Sequence, residues 1–314
     1  MAIWLTRLAV DRWRQAEGCA KGEGADAAPV VLIAETAHGP RIEAVNDAGL
    51  AAGAQPGMRL VDARTLCPAL GVAPADPAGD GAFLERLALW AQRWGRWAAV
   101  DPPDGLLVDA SAVAHLFGGE ARLLADARAS LAARGLAARL AIAPTAGAAW
   151  ALAHHGSGQA ILAPDESIAG RLADLPVAAL RLDPAVLLVL RRLGLKRIGD
   201  LIDRFAEKGG RDALKRRFRA GAPDMSPLLR LDQLLGRMAE PLLPVVSRPA
   251  ALVQRRLLEP VRHRELLDRV VAGLAADMAR AGTRPAATAP PCGRATGRAA
   301  AAGSCRARRR ESGA

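Results

Sequence analysis

The chain contains no tyrosine and few aromatic residues of any kind, six Trp and four Phe in 314 residues, while Ala, Arg, Leu and Gly dominate. Such a bias reflects GC-rich coding as much as physics. Its four cysteines, Cys19, Cys67, Cys292 and Cys305, are widely spaced and form no CxxC. Neither a disulfide framework nor a zinc site is supported. No apolar run is long enough to span a membrane. The opening MAIWLTRLAVDRW has no long apolar core and no small-residue cleavage site, so no signal peptide is expected and a cytoplasmic location is. A Gly-Lys-Ser/Thr phosphate loop is missing, so a P-loop ATPase is unsupported.

What is present is apolar residue and positive charge. Hydrophobic content of 51% suffices for real cores, and the length allows two or three domains. A net charge of +11 points to a polyanionic partner. About half of it sits in Thr283–Ala314, which holds seven Arg against one Glu. That segment is low in complexity and lacks periodicity, so it is expected to be disordered. Its abrupt change of composition resembles out-of-frame translation of GC-rich DNA.

Strands are expected at Ile3–Leu8, Val30–Ala34, Leu106–Val108 and Leu136–Ala143. Helices are expected at Met58–Leu66, Glu120–Arg134 closed by Gly135, and Pro144–His155 stopped by Gly156. Phe83–Val100 reads as an amphipathic helix with Phe83, Leu87, Trp90, Trp94 and Trp97 on one face. That stripe reads as core rather than as a base-stacking platform. Alternating strands and helices predict an α/β or α+β layer over the first 165 residues. After Pro164 the pattern is helical. Asp183-Pro184 starts a helix that ends at Gly194, Pro241–Pro249 has linker composition, and Glu259–Arg280 is a last helix.

Three segments could carry chemistry. DPPDGLLVD (Asp101–Asp109) offers three carboxylates around a short strand, which suits either a Mg²⁺ site or a turn. LGLKRIGDL (Leu193–Leu201) has the form of a helix-hairpin-helix, in which Gly194 and Gly199 would let backbone N–H groups reach a phosphate. Arg191, Arg192, Lys196 and Arg197 would add sequence-independent attraction. An ordinary helical turn with a solvated basic face is the alternative. His154-His155 reads as a favourable charge at a helix C-terminus rather than a metal ligand, because adjacent helix positions diverge. Asp232–Gly236 (DQLLG) only weakly resembles a sliding-clamp peptide, with Gly236 where an apolar anchor belongs.

Over roughly residues 1–280 the sequence resembles DinB-type Y-family DNA polymerases. Ala52–Leu70 (AGAQPGMRLVDARTLCPAL) is similar to their fingers segment, and Asp104–Ala112 (DGLLVDASA) to the palm strand Ser-Ile-Asp-Glu-Ala-Tyr-Leu-Asp. Arg134–Gly156 is similar to their Gly-Ile-Ala-Pro-Asn-Lys block, and LGLKRIGDL lies where they have the thumb. DPPDGLLVD, AHLFGG and RLDQLLGRMAEPLLP are closer still to a branch that serves as accessory proteins of bacterial mutasomes.

The resemblance implies an α+β right-hand fold. Residues 1–165 would form a ferredoxin-like palm with fingers inserted at about 20–80, and 166–240 a helical thumb. A linker would follow at 241–251, then the start of a largely missing little finger at 252–282 and the basic tail at 283–314. It also implies where catalysis would sit, and there the chain departs from the family. No acid lies between Ile3 and Val10, where the first metal ligand is expected. Asp104 matches the Asp of the catalytic pair, but Gly105 replaces its Glu, and Asp109 matches a structural position. The family's Tyr-x-x-Arg falls on Asp47–Leu50 and its phosphate-binding Lys on Trp150. Asp104 is thus expected to be a remnant, with no catalytic residue, metal or cofactor. The implied function is a non-catalytic, DNA-binding accessory to error-prone translesion synthesis, induced by DNA damage. Its implied partners are DNA, an ImuA-type RecA-like protein, a DnaE-type error-prone polymerase and the sliding clamp. The alternative is an active polymerase that uses Mg²⁺.

Overall fold

A computed structural model describes residues 1–17, 28–157, 160–207, 209–218, 226–246 and 263–282. The chain divides into two units, 1–247 and 248–314. In the first, β1 (Ala2–Leu5) leads into α1 (Leu8–Ala16). The sequence pattern had extended that strand to Leu8. The apolar run is too short to separate strand from helix, and the chain turns at Thr6-Arg7 so that Leu8, Val10 and Asp11 face inward from α1. Asp11 is buried there, and its Oδ2 accepts from the Ala137 N–H at 2.8 Å.

Next come β2 (Val30–Ala34), β3 (Arg41–Val45), α2 (Asp47–Ala51), α3 (Leu60–Leu66) and β4 (Gly71–Pro74). The three strands make a small sheet of order β3-β2-β4, antiparallel then parallel. Only its middle strand was legible in sequence. The two edges are short and partly polar, so their alternation is weak. Asn46 holds this layer together: its Oδ1 accepts from Val30 N at 2.9 Å and Gly49 N at 2.8 Å, and its Nδ2 donates to Ala28 O.

α4 (Pro77–Ala91) begins at Asp76, whose Oδ1 caps the Gly79 N–H, with proline at the first turn. The helix expected to reach Val100 stops at Ala91, passes through a 3-10 turn at Gln92–Trp94, and becomes β5 (Ala98–Asp101). Gly95 forces the change. A Cβ there would lie 2.4 Å from Val108 Cγ1 and 2.6 Å from the Asp109 carbonyl oxygen. Trp94 is fully buried, as its place in the stripe predicted, whereas Trp97 lies outside the helix.

β6 (Gly105–Val108), α5 (Glu120–Ala133), β7 (Ala138–Ala141) and α6 (Ala146–His155) complete the larger sheet. Its order is β5-β6-β1-β7, antiparallel throughout. Strand alternation splits its side chains between two cores. Ile3, Leu5, Leu106, Val108 and Leu140 pack with α4 and α5. Ala2, Leu107 and Ala141 pack with the alanine-rich face of α6.

The far side of α6 carries a helical layer: α7 (Ile168–Leu172), a 3-10 turn (Val177–Leu180), α8 (Pro184–Arg192), α9 (Ile198–Ala206), α10 (Gly210–Arg217) and α11 (Pro227–Leu234). The contact with α11 is close. A Cβ on Gly147 would lie 3.2 Å from Leu234 Cα, and Thr145 Oγ1 donates to Leu234 O at 2.7 Å. The first part of the linker-like segment is not a free tether. Val245 N donates to Ala98 O at 2.8 Å and Pro244 bridges Ala99, so these residues cover the open edge of β5.

In the second unit, α12 (Arg264–Gly282) is helical and exposes Leu266, Leu267, Val271 and Met278. The rest of the expected little-finger start (252–262) and the tail 283–314 lie outside the described residues. Among the described residues, no helix is long and apolar enough to cross a membrane.

Candidate functional site

The hairpin joining β5 and β6 carries Asp101 and Asp104, and β1 runs beside it with Trp4 opposite Gly105. Trp4 Nε1 donates to Asp104 Oδ2 at 2.9 Å. Burial pushes the Asp104 carboxyl above its ordinary range. The Trp4 bond opposes that shift and the nearby Asp101 charge adds to it. Gly105 leaves little room for a side chain, since a Cβ there would meet Asp101 O at 3.0 Å and Asp101 Oδ2 at 3.1 Å. Asp109, at the other end of β6, accepts from Ser111 Oγ at 2.6 Å. Asp101 does more than shape the turn. Its Oδ1 accepts from Arg181 Nη1 at 3.0 Å, across 80 residues of sequence.

An aromatic column fills the space between β1 and α6. Trp150 stacks on His154 with centroids 3.7 Å apart, and His154 on Trp4 at 4.4 Å. The guanidinium of Arg139 lies 5.6 Å from the Trp4 ring and that of Arg181 lies 5.4 Å from the Trp150 ring. His154 is therefore a stacking element, which corrects its reading as a helix C-terminal charge. Burial lowers its pKa from the ordinary 6.5 to about 4; the Trp150 carbonyl opposes this, while His155, Arg181 and Arg139 reinforce it. Burial, with Arg139, also lowers the pKa of His155. The sequence held part of this signal. Trp150 and His154 are four apart on a helix, and Trp4 shares the strand face of Ala2.

A pH dependence follows. A His that is neutral when folded and free to protonate when unfolded contributes stability above the unfolded pKa. That contribution is lost as pH falls from about 6.5 toward 4. Its size is about 1 to 2 kcal/mol, reduced from the full shift because the ring is only half buried. His154→Phe, which stacks but cannot titrate, should flatten the melting-temperature profile across this window. An unchanged profile would contradict the assignment.

The positions that the resemblance assigns to a triphosphate site carry other contacts. Asp47 on α2 is ion-paired with Arg7 from the turn after β1. Trp150 stands in the aromatic column instead of offering a cation. Two Mg²⁺ ions require bridging negative charge, and among the described residues no group of three His, Cys, Asp or Glu could hold a metal. An Asp104 carboxylate bonded to an indole, next to an Asp101 already held by Arg181, does not fit the metal pair that the resemblance implies.

The α8–α9 turn has the shape of a helix-hairpin-helix, with Asp183 capping α8 and Gly194 at φ +83°. Its backbone, however, is already engaged. Gly194 N donates to Arg191 O, Leu195 N to Leu190 O, Ile198 N to Leu175 O and Gly199 N to Ala173 O. Lys196 N and Arg197 N both donate to Asp200 Oδ2 at 2.8 Å. Those two N–H bonds hold the Asp200 carboxyl below its usual range. A carboxylate therefore sits where the sequence reading put a phosphate, and the contribution expected from Gly194 and Gly199 amides is corrected accordingly. Arg197 also pairs with Asp174 at 2.9 Å. Arg191, Arg192 and Lys196 are exposed and make no ion pair with another described residue. The DQLLG segment lies largely within α11, with Gln233 buried and Asp232 paired to Arg211 and Arg237. In this fold it is not an accessible clamp peptide.

Comparison with known proteins agrees with this architecture. Residues 23–154 match the impB/mucB/samB family. The chain is 44% identical over 219 residues to Protein ImuB of Caulobacter vibrioides in two strains, NA1000 / CB15N and ATCC 19089 / CIP 103742 / CB 15. The match covers 69% of this chain and 45% of each relative, so the chain spans about half the length of those proteins. Among solved structures, DinB from Sulfolobus solfataricus superimposes with a TM-score of 0.58 at 16% identity, covering 77% of this chain and 68% of that one. Dbh DNA polymerase in an insertion ternary complex gives 0.58 at 15% identity with the same coverage. The chain is thus similar to Protein ImuB over about half of that protein's length, matches the impB/mucB/samB family at 23–154, and has the fold of Y-family DNA polymerases.

Proposed function

We propose that this chain is a non-catalytic, DNA-binding accessory to error-prone translesion synthesis in the DNA damage response. In this reading the larger sheet with α4, α5 and α6 is the palm (1–165), carrying fingers at about 20–80. Residues 166–240 are the thumb, 241–251 the linker and 252–282 the opening of a little finger. The observation that carries the reading is the Trp4–Asp104 hydrogen bond. Asp104 accepts from an indole, and opposite that Trp4 stands Gly105, where the resemblance puts the acidic partner of the pair. Without bridging charge, two divalent ions repel strongly at the separation that nucleotidyl transfer requires. Retaining the fold without its metal site suits a protein that holds DNA and other proteins together. The partners in this reading are an ImuA-type RecA-like protein, a DnaE-type polymerase and the sliding clamp.

Primer extension tests the claim. With Mg²⁺ or Mn²⁺ the protein should add no nucleotide to a primed template while still shifting it in a binding assay. Extension that disappears in Asp104→Ala would establish an active polymerase instead.

A further inference from the structure

Among the described residues Arg181 is the one non-glycine with positive φ, at 56°, while nine glycines adopt such values. The left-handed region costs an ordinary side chain about 1 kcal/mol or more. Glycine would occupy this position without that cost, so the side chain must supply something in return.

Its contacts show what. Arg181 Nη1 reaches Asp101 of the palm hairpin at 3.0 Å, and Nη2 pairs with Glu240 beyond α11. Its guanidinium also lies against Trp150 of α6. Glu240 is bound in turn by Arg230 of α11 at 3.1 Å. The carboxylates are largely enclosed, with side-chain exposures of 19% for Asp101 and 9% for Glu240. Glu240 Oε2 and Arg230 Nε are buried and have no hydrogen-bond partner in this cluster. Asp104 stands close enough to Asp101 for their charges to interact. Arg181 thus lies between Asp101 and Glu240 at one end of the palm hairpin, with Asp104 near Asp101 and Arg230 also bound to Glu240.

We propose that Arg181 is the resident cation of this site. It balances the enclosed charges of Asp101 and Glu240, and it ties the palm hairpin, α6 and the start of α8 to the segment after α11. The left-handed backbone is the consequence of placing a guanidinium between Asp101 and Glu240. Removing one partner of an enclosed pair leaves the other uncompensated, and that loss exceeds the net worth of the pair itself.

Thermal unfolding of the full chain tests this, and it can fail independently of the primer-extension result. Arg181→Gly relieves the backbone strain and removes the charge. The expected result is a melting temperature about 5 °C below wild type. Adding Asp101→Asn in the same chain should recover part of that loss, because the stranded carboxylate is gone. Should Arg181→Gly fail to fold, Arg181→Lys is compared with Arg181→Ala: lysine keeps the charge and should melt closer to wild type than alanine does, and equal melting of the two would overturn the proposal. A glycine variant as stable as wild type or more so would overturn the proposal. So would a double variant no better than the single, or a lysine variant no better than glycine.

Discussion

Restoring the missing glutamate, Gly105→Glu, is expected to yield no primer extension and to lower the stability of the protein by about 2 to 3 kcal/mol, roughly 5 to 10 °C in melting temperature. Two effects act together. Any Cβ at residue 105 meets the Asp101 backbone oxygen at 3.0 Å and its carboxylate at 3.1 Å, so the hairpin must open by a few tenths of an ångström. The added carboxylate also enters a cluster in which burial and the Asp101 charge already push the Asp104 carboxyl up. Gly105→Ala separates the two, since it retains the crowding and omits the charge. It should show the smaller part of the loss. Activity in Gly105→Glu, or an undisturbed melting temperature, would mean that the hairpin can still accommodate the catalytic pair.

The second large effect concerns DNA. Replacing Arg191, Arg192, Lys196 and Arg197 together by glutamine should weaken duplex binding about 500-fold at 0.1 M salt, equally across sequences. Each phosphate contact contributes a slope of about 0.9 to the logarithmic salt dependence, or about 0.9 decade at that concentration. Three exposed, unpaired cations therefore account for a change of about 2.7 in slope and somewhat more than two decades in affinity. Arg197 adds less, because Asp174 already holds it. Asp200→Asn separates side-chain from backbone contributions. If phosphate reached the α9 N-terminus, removing that carboxylate would strengthen binding; if the side chains act alone, affinity changes little. An anisotropy titration that finds the fourfold variant equal to wild type would remove the thumb from the interface.

Parts of this architecture were legible because local rules determine them. Asp183-Pro184 starts α8, Thr145 caps α6, and Gly135 and Gly194 turn the chain at positive φ after α5 and α8. The buried stretch Leu106–Val108 was recognisable from its unbroken apolar character. Errors arose where a distant neighbour overrode the local pattern. The aromatic stripe of α4 runs on in sequence past Gly95, but packing against Val108 and Asp109 ends the helix before it. The glycines of LGLKRIGDL read as a phosphate cradle, but Arg191 O and Ala173 O accept the N–H groups of Gly194 and Gly199, and Leu175 O and Asp200 take those of Ile198, Lys196 and Arg197.

At the candidate site the division is sharper. That the carboxylates and phosphate cations are missing can be read residue by residue from Gly105, Trp150 and the acid-free start of the chain. What occupies the space instead cannot. Trp4, Asp104, Arg139, His154, Trp150 and Arg181 are separated by as many as 177 positions in the sequence, and beyond the helical spacing of Trp150 and His154 no periodicity links them. The sequence by itself determined the family resemblance and which residue types stand where that resemblance expects metal ligands, because both rest on identity at given places. Tertiary structure alone decided that the vacated site is filled by stacked rings and closed by an arginine. Stacking and ion pairing depend on distance in space, and only the antiparallel register of β1 with its two neighbours, with α6 laid across one face, brings these side chains within reach.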